Sequence, residues 1–188
     1  VINNTYVDPG VTLTILPGVH VQFADSFSLI VEGSLIANGT NTEPIIFTSS
    51  RSLPSPGAWN TIKFKGNSSE TFLLEHVKVH YAIHGVTIQS LGAAAIEKSE
   101  ISNCSESGTM LVGKSNVIIK ENTLRKNRNG IATDSADTHS GILVIGNAIL
   151  SNQENGLYVH SLYSYGDSYI HNVTVSSNVI SSNGGNGI

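Results

Sequence analysis

Residues 116–131 read NVIIKENTLRKNRNGI and residues 173–188 read VTVSSNVISSNGGNGI. In the first, Ile119, Asn122, Leu124 and Asn127 precede Gly130 and Ile131. In the second, Val175, Asn178, Ile180 and Asn183 precede Gly187 and Ile188. Between them Val144, Asn147, Ile149 and Asn152 precede Gly156 and Leu157. The steps are three, two and three residues each time, and Gly-apolar closes every unit. Self-similarity at a near-fixed period marks a repeat architecture, so it is read before any single element.

The spacing continues backwards with the Asn positions replaced. Ile96, Ser99, Ile101 and Cys104 precede Gly108 and Thr109, while Leu74, Val77, Val79 and Ala82 precede Gly85 and Val86. Equivalent positions lie 22 (Val77 to Ser99), 23 (to Asn122), 25 (to Asn147) and 31 (to Asn178) residues apart, the range of solenoids. Within each period short β-branched stretches alternate between Gly, Asn and Ser, as from Val117 to Ile119 and from Ile142 to Ile145. Short strands with sharp corners at that period predict a coil of parallel β-strands. Identical residues then stack about 4.8 Å apart. An inward Asn at a corner is costly unless its amide is satisfied. Asn122, Asn147 and Asn178 are therefore expected to form one structural ladder, and Asn127, Asn152 and Asn183 a second. Cys104 stands where the second ladder carries Asn, which predicts an inward, inert thiol.

Composition fits this reading. Of 188 residues only 13% are charged, and 18 are Gly, so polarity comes from Asn, Ser, Thr and Gly. That composition excludes a helical bundle or coiled coil. A net charge of −4 with ten basic residues leaves no electrostatic footprint for nucleic acid. No apolar run reaches membrane-spanning length, and no charged, apolar, small-residue pattern of a signal sequence is read in these residues. A lone cysteine forms no internal disulfide. Sequons at Asn3, Asn38, Asn67, Asn103 and Asn172 fit an exported, glycosylated chain. Val1 at one end and Asn186, Gly187 and Ile188 at the other read as the ends of a segment of a longer protein.

The N-terminal third is less regular. Val11, Leu13 and Ile15 alternate, then Val19, Val21 and Phe23, separated by Pro17-Gly18. Further strands are predicted at 29–31, 35–37, 45–48 and 62–64, and Arg51 to Gly57 as an exposed turn. Residues 1–72 are read as irregular entry coils and 73–188 as regular Asn-ladder coils of one domain. The total is about seven to eight coils.

The run VTLTILPGVHVQF (11–23), LIVEGSLIANGT (29–40), PIIFTS (44–49) and PGAWNTIKF (56–64), with the two repeats above, resembles the right-handed parallel β-helix superfamily of carbohydrate-binding proteins and sugar hydrolases. Its Asn-rich, Tyr- and Ser-decorated style is most similar to extracellular surface proteins of methane-cycle archaea. The resemblance covers essentially the whole chain and implies an all-β, single-stranded parallel β-helix. That architecture hosts lyases, hydrolases, adhesins and spacers alike. The adjacent Asp pair, Gly-His-Gly and Arg-x-Lys of polygalacturonase-like members are absent, as is the Trp-x-Asp-His of pectate-lyase-like members, since Trp59 is followed by Asn60 and Thr61.

A filled coil carries chemistry only outside or in corner loops. From the Gly-apolar strand to the next repeat there are ten residues for Val86 to Ile96 and for Thr109 to Ile119, but 13 for Ile131 to Val144 and 18 for Leu157 to Val175. Two neighbouring coils thus carry insertions at one corner. The first holds Asp134, Asp137 and His139, and the second His160, Tyr163, Tyr165, Asp167, Tyr169 and His171. Tyr faces suit sugar rings, and Asp suits sugar hydroxyls or Ca²⁺, with Asp134, Asp137 and Asp167 the Ca²⁺ candidates. They are also the catalytic candidates. Hydrolysis needs two carboxylates about 5 Å apart for retention or about 6.5–9.5 Å for inversion, and Asp134 or Asp137 with Asp167 is the cross-loop pairing on offer. The three His lack a zinc-ligand spacing. His76, His80 and His84 are read as outward surface groups. No resident cofactor other than Ca²⁺ is implied.

Three functions follow as expectations. The first is an extracellular, non-catalytic surface scaffold that engages polysaccharide at the corner loops. The second is a polysaccharide hydrolase or lyase, and the third an adhesive protein that self-associates end to end.

Overall fold

Strands this short, interrupted every few residues by Asn, Ser and Gly, cannot bury themselves in an open sheet and must turn at once into the next face. A computed structural model describes residues 1–113, 116–134, 140–159 and 171–188, without the side chains of Ser140 and His171. Among the described residues there is no helix. The chain winds through seven rungs of three strands. The first is β1 (Thr5–Val7), β2 (Thr12–Ile15) and β3 (His20–Phe23), and the second β4 (Leu29–Val31), β5 (Ser34–Asn38) and β6 (Ile45–Ser49). The third is β7 (Ile62–Phe64), β8 (Thr71–Glu75) and β9 (Val77–His80), and the fourth β10 (Val86–Ile88), β11 (Ala93–Glu97) and β12 (Glu100–Ser102). Next come β13 (Ser107–Leu111), β14 (Asn116–Lys120) and β15 (Thr123–Arg125), then β16 (Asn129–Thr133), β17 (Ser140–Ile145) and β18 (Ala148–Leu150). The last is β19 (Leu157–Tyr158), β20 (His171–Ser176) and β21 (Val179–Ser181). Every third strand pairs in parallel, giving three seven-stranded sheets: the first built on β1, the second on β2 and the third on β3.

Register stacks like on like. Ile96, Ile119, Val144 and Val175 form one inward column, and Val79, Ile101, Leu124, Ile149 and Ile180 another. Phe23 and Trp59 stack face to face at 4.1 Å in the N-terminal interior, and the indole N–H donates to the His80 carbonyl at 2.7 Å. In the N-terminal third the alternation is inward at Leu13, Ile15, Val21 and Phe23, whereas Val11 (51% exposed) and Val19 (39%) lie outside the strands they were expected to start. β1 was not anticipated.

The ladders form as expected. Asn147 Oδ1 accepts from the backbone N–H of Asn122 at 2.9 Å and Asn178 Oδ1 from that of Asn147 at 2.8 Å, while their side-chain amides donate inward to Ile119 and Val144 carbonyls. Asn127, Asn152 and Asn183 repeat this at the next corner, with steps of 3.0 Å. Each ladder residue follows a residue in the left-handed region: His76, Lys98, Glu121, Gly146 and Ser177 at one corner, and Tyr81, Asn103, Lys126, Ser151 and Ser182 at the other. For non-glycine residues that backbone is unfavourable by roughly 1–2 kcal/mol each, and the satisfied ladder amide next door offsets it. Cys104 is fully buried. Its thiol donates to the Ser102 carbonyl at 3.8 Å, and burial pushes it up to about 12.

A third ladder was missed. Asn155 donates both its backbone N–H (3.1 Å) and its side-chain amide (3.0 Å) to Asn129 Oδ1, and Asn186 donates its N–H to Asn155 Oδ1 at 3.0 Å. The same position two rungs earlier is His84, whose Nδ1 receives the Ser107 N–H at 3.4 Å. Next to this ladder Gly85, Gly108, Gly130 and Gly156 stack so tightly that a Cβ on any of them would sit 2.5 to 2.7 Å from the carbonyl of the glycine on the following rung. That crowding is why each unit closes on Gly-apolar.

Candidate functional site

The connections from the first sheet to the second are the corner that lengthens along the coil, because residues 135–139 and 160–170 join β16 to β17 and β19 to β20. Of the predicted site residues, Asp134 lies on this corner half-buried, its Oδ1 accepting from the Gly113 N–H one rung back at 3.1 Å. Asp137, His139, His160, Tyr163, Tyr165, Asp167 and Tyr169 lie outside the described residues, as does the His171 side chain at the start of β20. Among the described residues no group of three His, Cys, Asp or Glu is placed to hold a metal ion.

The earlier rungs of the same corner form an open groove of about 460 Å³. Lys65, Asn67, Gln89 and Leu91 line it, with Leu91 62% exposed. Its floor is fixed from within. Ser90 Oγ donates to the Gly66 carbonyl and accepts from the Gly92 N–H at 2.8 Å. Glu70, buried beneath, accepts from Ser34 Oγ at 2.6 Å and from the Gly10 N–H at 3.0 Å, and these bonds hold its carboxyl below the usual range. Beyond the groove the outer face of the first sheet carries Met110, Ala132 and Tyr158 in one column. Tyr158 is 41% exposed. The corner thus offers two amides, apolar surface and Lys65, paired with Glu32 at 3.0 Å, on the rungs before Asp134.

A second cluster looks like a catalytic set and is structural. On the outer face of the third sheet His80 Nδ1 lies 2.8 Å from Ser102 Oγ, which donates to Glu100 Oε1 at 3.1 Å and accepts from Asn103 Nδ2 at 3.1 Å. A hydroxyl has one proton and two lone pairs. With its proton directed to Glu100 and one lone pair taken by Asn103, Ser102 accepts a hydrogen bond from the His80 Nδ1–H rather than donating one. Ser102 is also fully buried, so no substrate carbonyl reaches it. Arg125 clamps Glu100 from the next rung at 2.7 Å. His80 and His84 point outward but are half-buried, which corrects their reading as surface groups. Burial, the largest cause, pushes both below the ordinary histidine range.

The few charges pair across rungs on the outside. Arg128 reaches Glu106 and Glu154, each at 3.0 Å, on the rungs before and after its own. Of the sequon residues, Asn3, Asn38, Asn67 and Asn172 are exposed and Asn103 is half-buried against Ser102.

Comparison with known families gives two matches. A family described as a right handed beta helix region matches residues 60–188, and one described as a pectate-lyase like beta helix domain matches residues 1–81. No curated protein matches the chain. No solved structure matches it either.

Proposed function

The chain belongs to the right-handed β-helix family, and from that premise we propose an extracellular surface scaffold that binds polysaccharide along its loop-bearing corner. One observation carries the scaffold role: three seven-stranded sheets are stitched rung to rung by side-chain ladders at two corners between the second, third and first sheets, leaving the remaining corner free of ladders. A coil tied this way holds a long row of surface groups at a fixed spacing, which is what a repeating sugar chain requires. The groove supplies what a neutral glycan would use, Asn67 and Gln89 for hydroxyls and Leu91 for a ring face, with Lys65 held beside it by Glu32 at 3.0 Å and Tyr158 offering a further ring face beyond it. The inserted segments with Asp134, Asp137, Asp167 and the three Tyr extend the same corner, and Ca²⁺ bound by those carboxylates would bridge protein to an acidic sugar. Four exposed sequons and a single inert thiol suit an exported, glycosylated chain in a setting such as the envelope of methane-cycle archaea.

Affinity electrophoresis in gels containing soluble polysaccharides, with and without Ca²⁺, tests this reading. Retardation of the wild type that is lost in Gln89→Ala and Tyr158→Ala is expected. No retardation on any polysaccharide leaves the scaffold role alone. Release of reducing ends or unsaturated products, lost in Asp134→Ala or Asp167→Ala, would instead make the corner a hydrolase or lyase site.

A further inference from the structure

The outer face of the second sheet carries an apolar stripe. Ile36, Leu73, Ala95, Ile118 and Leu143 follow one another on five successive rungs in one column of register, with Thr14 and Thr174 at its ends. All five point away from the core, and Ile118 is 36% exposed. The matching column of the first sheet is broken by Lys63, and that of the third by Lys78 and Glu100. Among the described residues nothing caps the stripe.

We propose that this face is the interface for a second copy of the chain, turned end for end. The stripe reads Thr, Ile, Leu, Ala, Ile, Leu, Thr. Reversed about Ala95 it sets Ile36 against the second copy's Leu143 and Leu73 against its Ile118, so a four-carbon side chain meets an isomer of equal volume at every step. Both copies share the strand spacing of about 4.8 Å, so the match holds along the whole face. The flanking column fixes the orientation. Glu75, Glu97 and Lys120 stand two residues beyond Leu73, Ala95 and Ile118 on the same strands. The reversed copy brings Glu75, which also holds Lys98 at 2.8 Å, opposite Lys120, which lies 3.4 Å from Glu121, twice over, while Glu97 meets its own mate at the rim. A dyad through one self-complementary patch is the usual geometry of a homodimer.

Other occupants fit less well. A sugar chain finds no hydrogen-bonding side chain along the five apolar positions, and an anionic membrane meets Glu75 and Glu97. The face measures about 30 Å by 20 Å, roughly 600 Å² per copy and roughly 1,200 Å² in all, the lower end of specific interfaces. The dimer is therefore weak and reversible.

Sedimentation equilibrium of the 188-residue chain from roughly 1 to 500 µM tests this, with circular dichroism to verify that every variant is folded. Monomer and dimer in exchange with a micromolar dissociation constant are expected. Leu73→Lys and Ile118→Lys, each placing charges against an apolar partner, should weaken it at least about tenfold, and Met110→Lys on the first sheet should leave it unchanged. Lys120→Glu should weaken it, and adding Glu75→Lys to that variant should restore it. Ala95→Cys should couple to itself through a short bis-maleimide, since the buried Cys104 thiol does not react. A chain that stays monomeric throughout overturns the proposal. So does a dimer that survives Leu73→Lys and Ile118→Lys, as an end-to-end stack would, or one that the charge reversal fails to restore.

Discussion

Replacing Asn147 by Ala removes the centre of the first ladder. Asn147 is 1% exposed. Its side-chain amide donates to the Ile119 carbonyl at 2.8 Å and to Asn178 Oδ1 at 2.9 Å, and its Oδ1 receives the Asn122 N–H at 2.9 Å and the Asn122 side-chain amide at 3.0 Å. Most partners keep a second bond. Asn122 Nδ2 still reaches the Ile96 carbonyl, and Asn178 Oδ1 still receives the Asn147 N–H. The Asn122 backbone N–H loses its acceptor inside the coil, which costs about 1–3 kcal/mol, and the lost net bonds and small void bring the expected destabilisation to about 2–4 kcal/mol. At a urea slope of about 2 kcal/mol/M the midpoint falls by about 1–2 M. The assay is urea unfolding followed both by Trp59 fluorescence and by far-UV circular dichroism. Trp59 reports the N-terminal interior, four rungs from the lesion. Since each rung touches only its neighbours, the dichroism transition should move more than the Trp59 one. Asn147→Asp should be worse than Ala, because it sets a carboxylate oxygen against the Ile119 carbonyl. A shift below about 0.5 kcal/mol for Asn147→Ala would refute the ladder as a source of stability.

Thr109 Oγ1 is fully buried without a hydrogen-bond partner, between Val86 and Ile131 in register. Thr109→Val should therefore raise stability by about 1–2 kcal/mol in the same urea assay, and a loss would mean the hydroxyl is satisfied. Burial holds the His84 imidazole below its ordinary range, so the unfolded chain binds more protons just below the ordinary histidine pKa of about 6.5. Stability should fall as pH drops through that window. His84→Asn gives Ser107 N–H a ladder oxygen and should reduce the dependence of the melting temperature between pH 7.5 and 5.5; an unchanged slope would assign it to other groups. Glu70 is held below its ordinary range, so its contribution is present above that range and lost as pH falls below it. The melting-temperature gap between wild type and Glu70→Gln should be widest near neutral pH and close toward pH 3, and a pH-independent gap would show that Glu70 acts through packing alone.

Much of the coil was legible because its chemistry repeats at a fixed spacing. The apolar steps around Asn122, Asn147 and Asn178 leave one geometry in which those amides are satisfied, and the structure adopts it. The third ladder was as visible in Asn129-Gly130, Asn155-Gly156 and Asn186-Gly187, but attention to the glycine hid the Asn before it. Ser34 and Glu70 are 36 residues apart with no periodic signal, so their bond could be found only after the rungs were stacked. The stripe on the second sheet was missed for a related reason. Alternation identifies the inward residue of each strand, and the outward partner gains meaning only when register aligns it with four others. The entry strands misled at Val11 and Val19, because β-branched residues favour strand whether or not their side chains meet a core. Of the corner site, Asp134 and the shared origin of the two inserted segments are seen in the structure.

The three ladders do not run the same way. At two corners a backbone N–H on one rung takes its oxygen from the rung that follows, at Asn122 from Asn147 and at Asn127 from Asn152. In the third ladder, which shares its corner with the second at the entry to the first sheet, the direction reverses, and Asn155 hands its N–H back to Asn129. A rung emerging from synthesis can thus fasten itself through the third ladder to what is already built, and in arriving completes the other two ladders of its predecessor. Growth toward the C-terminus becomes a ratchet, each turn of the chain the latch for the one before it.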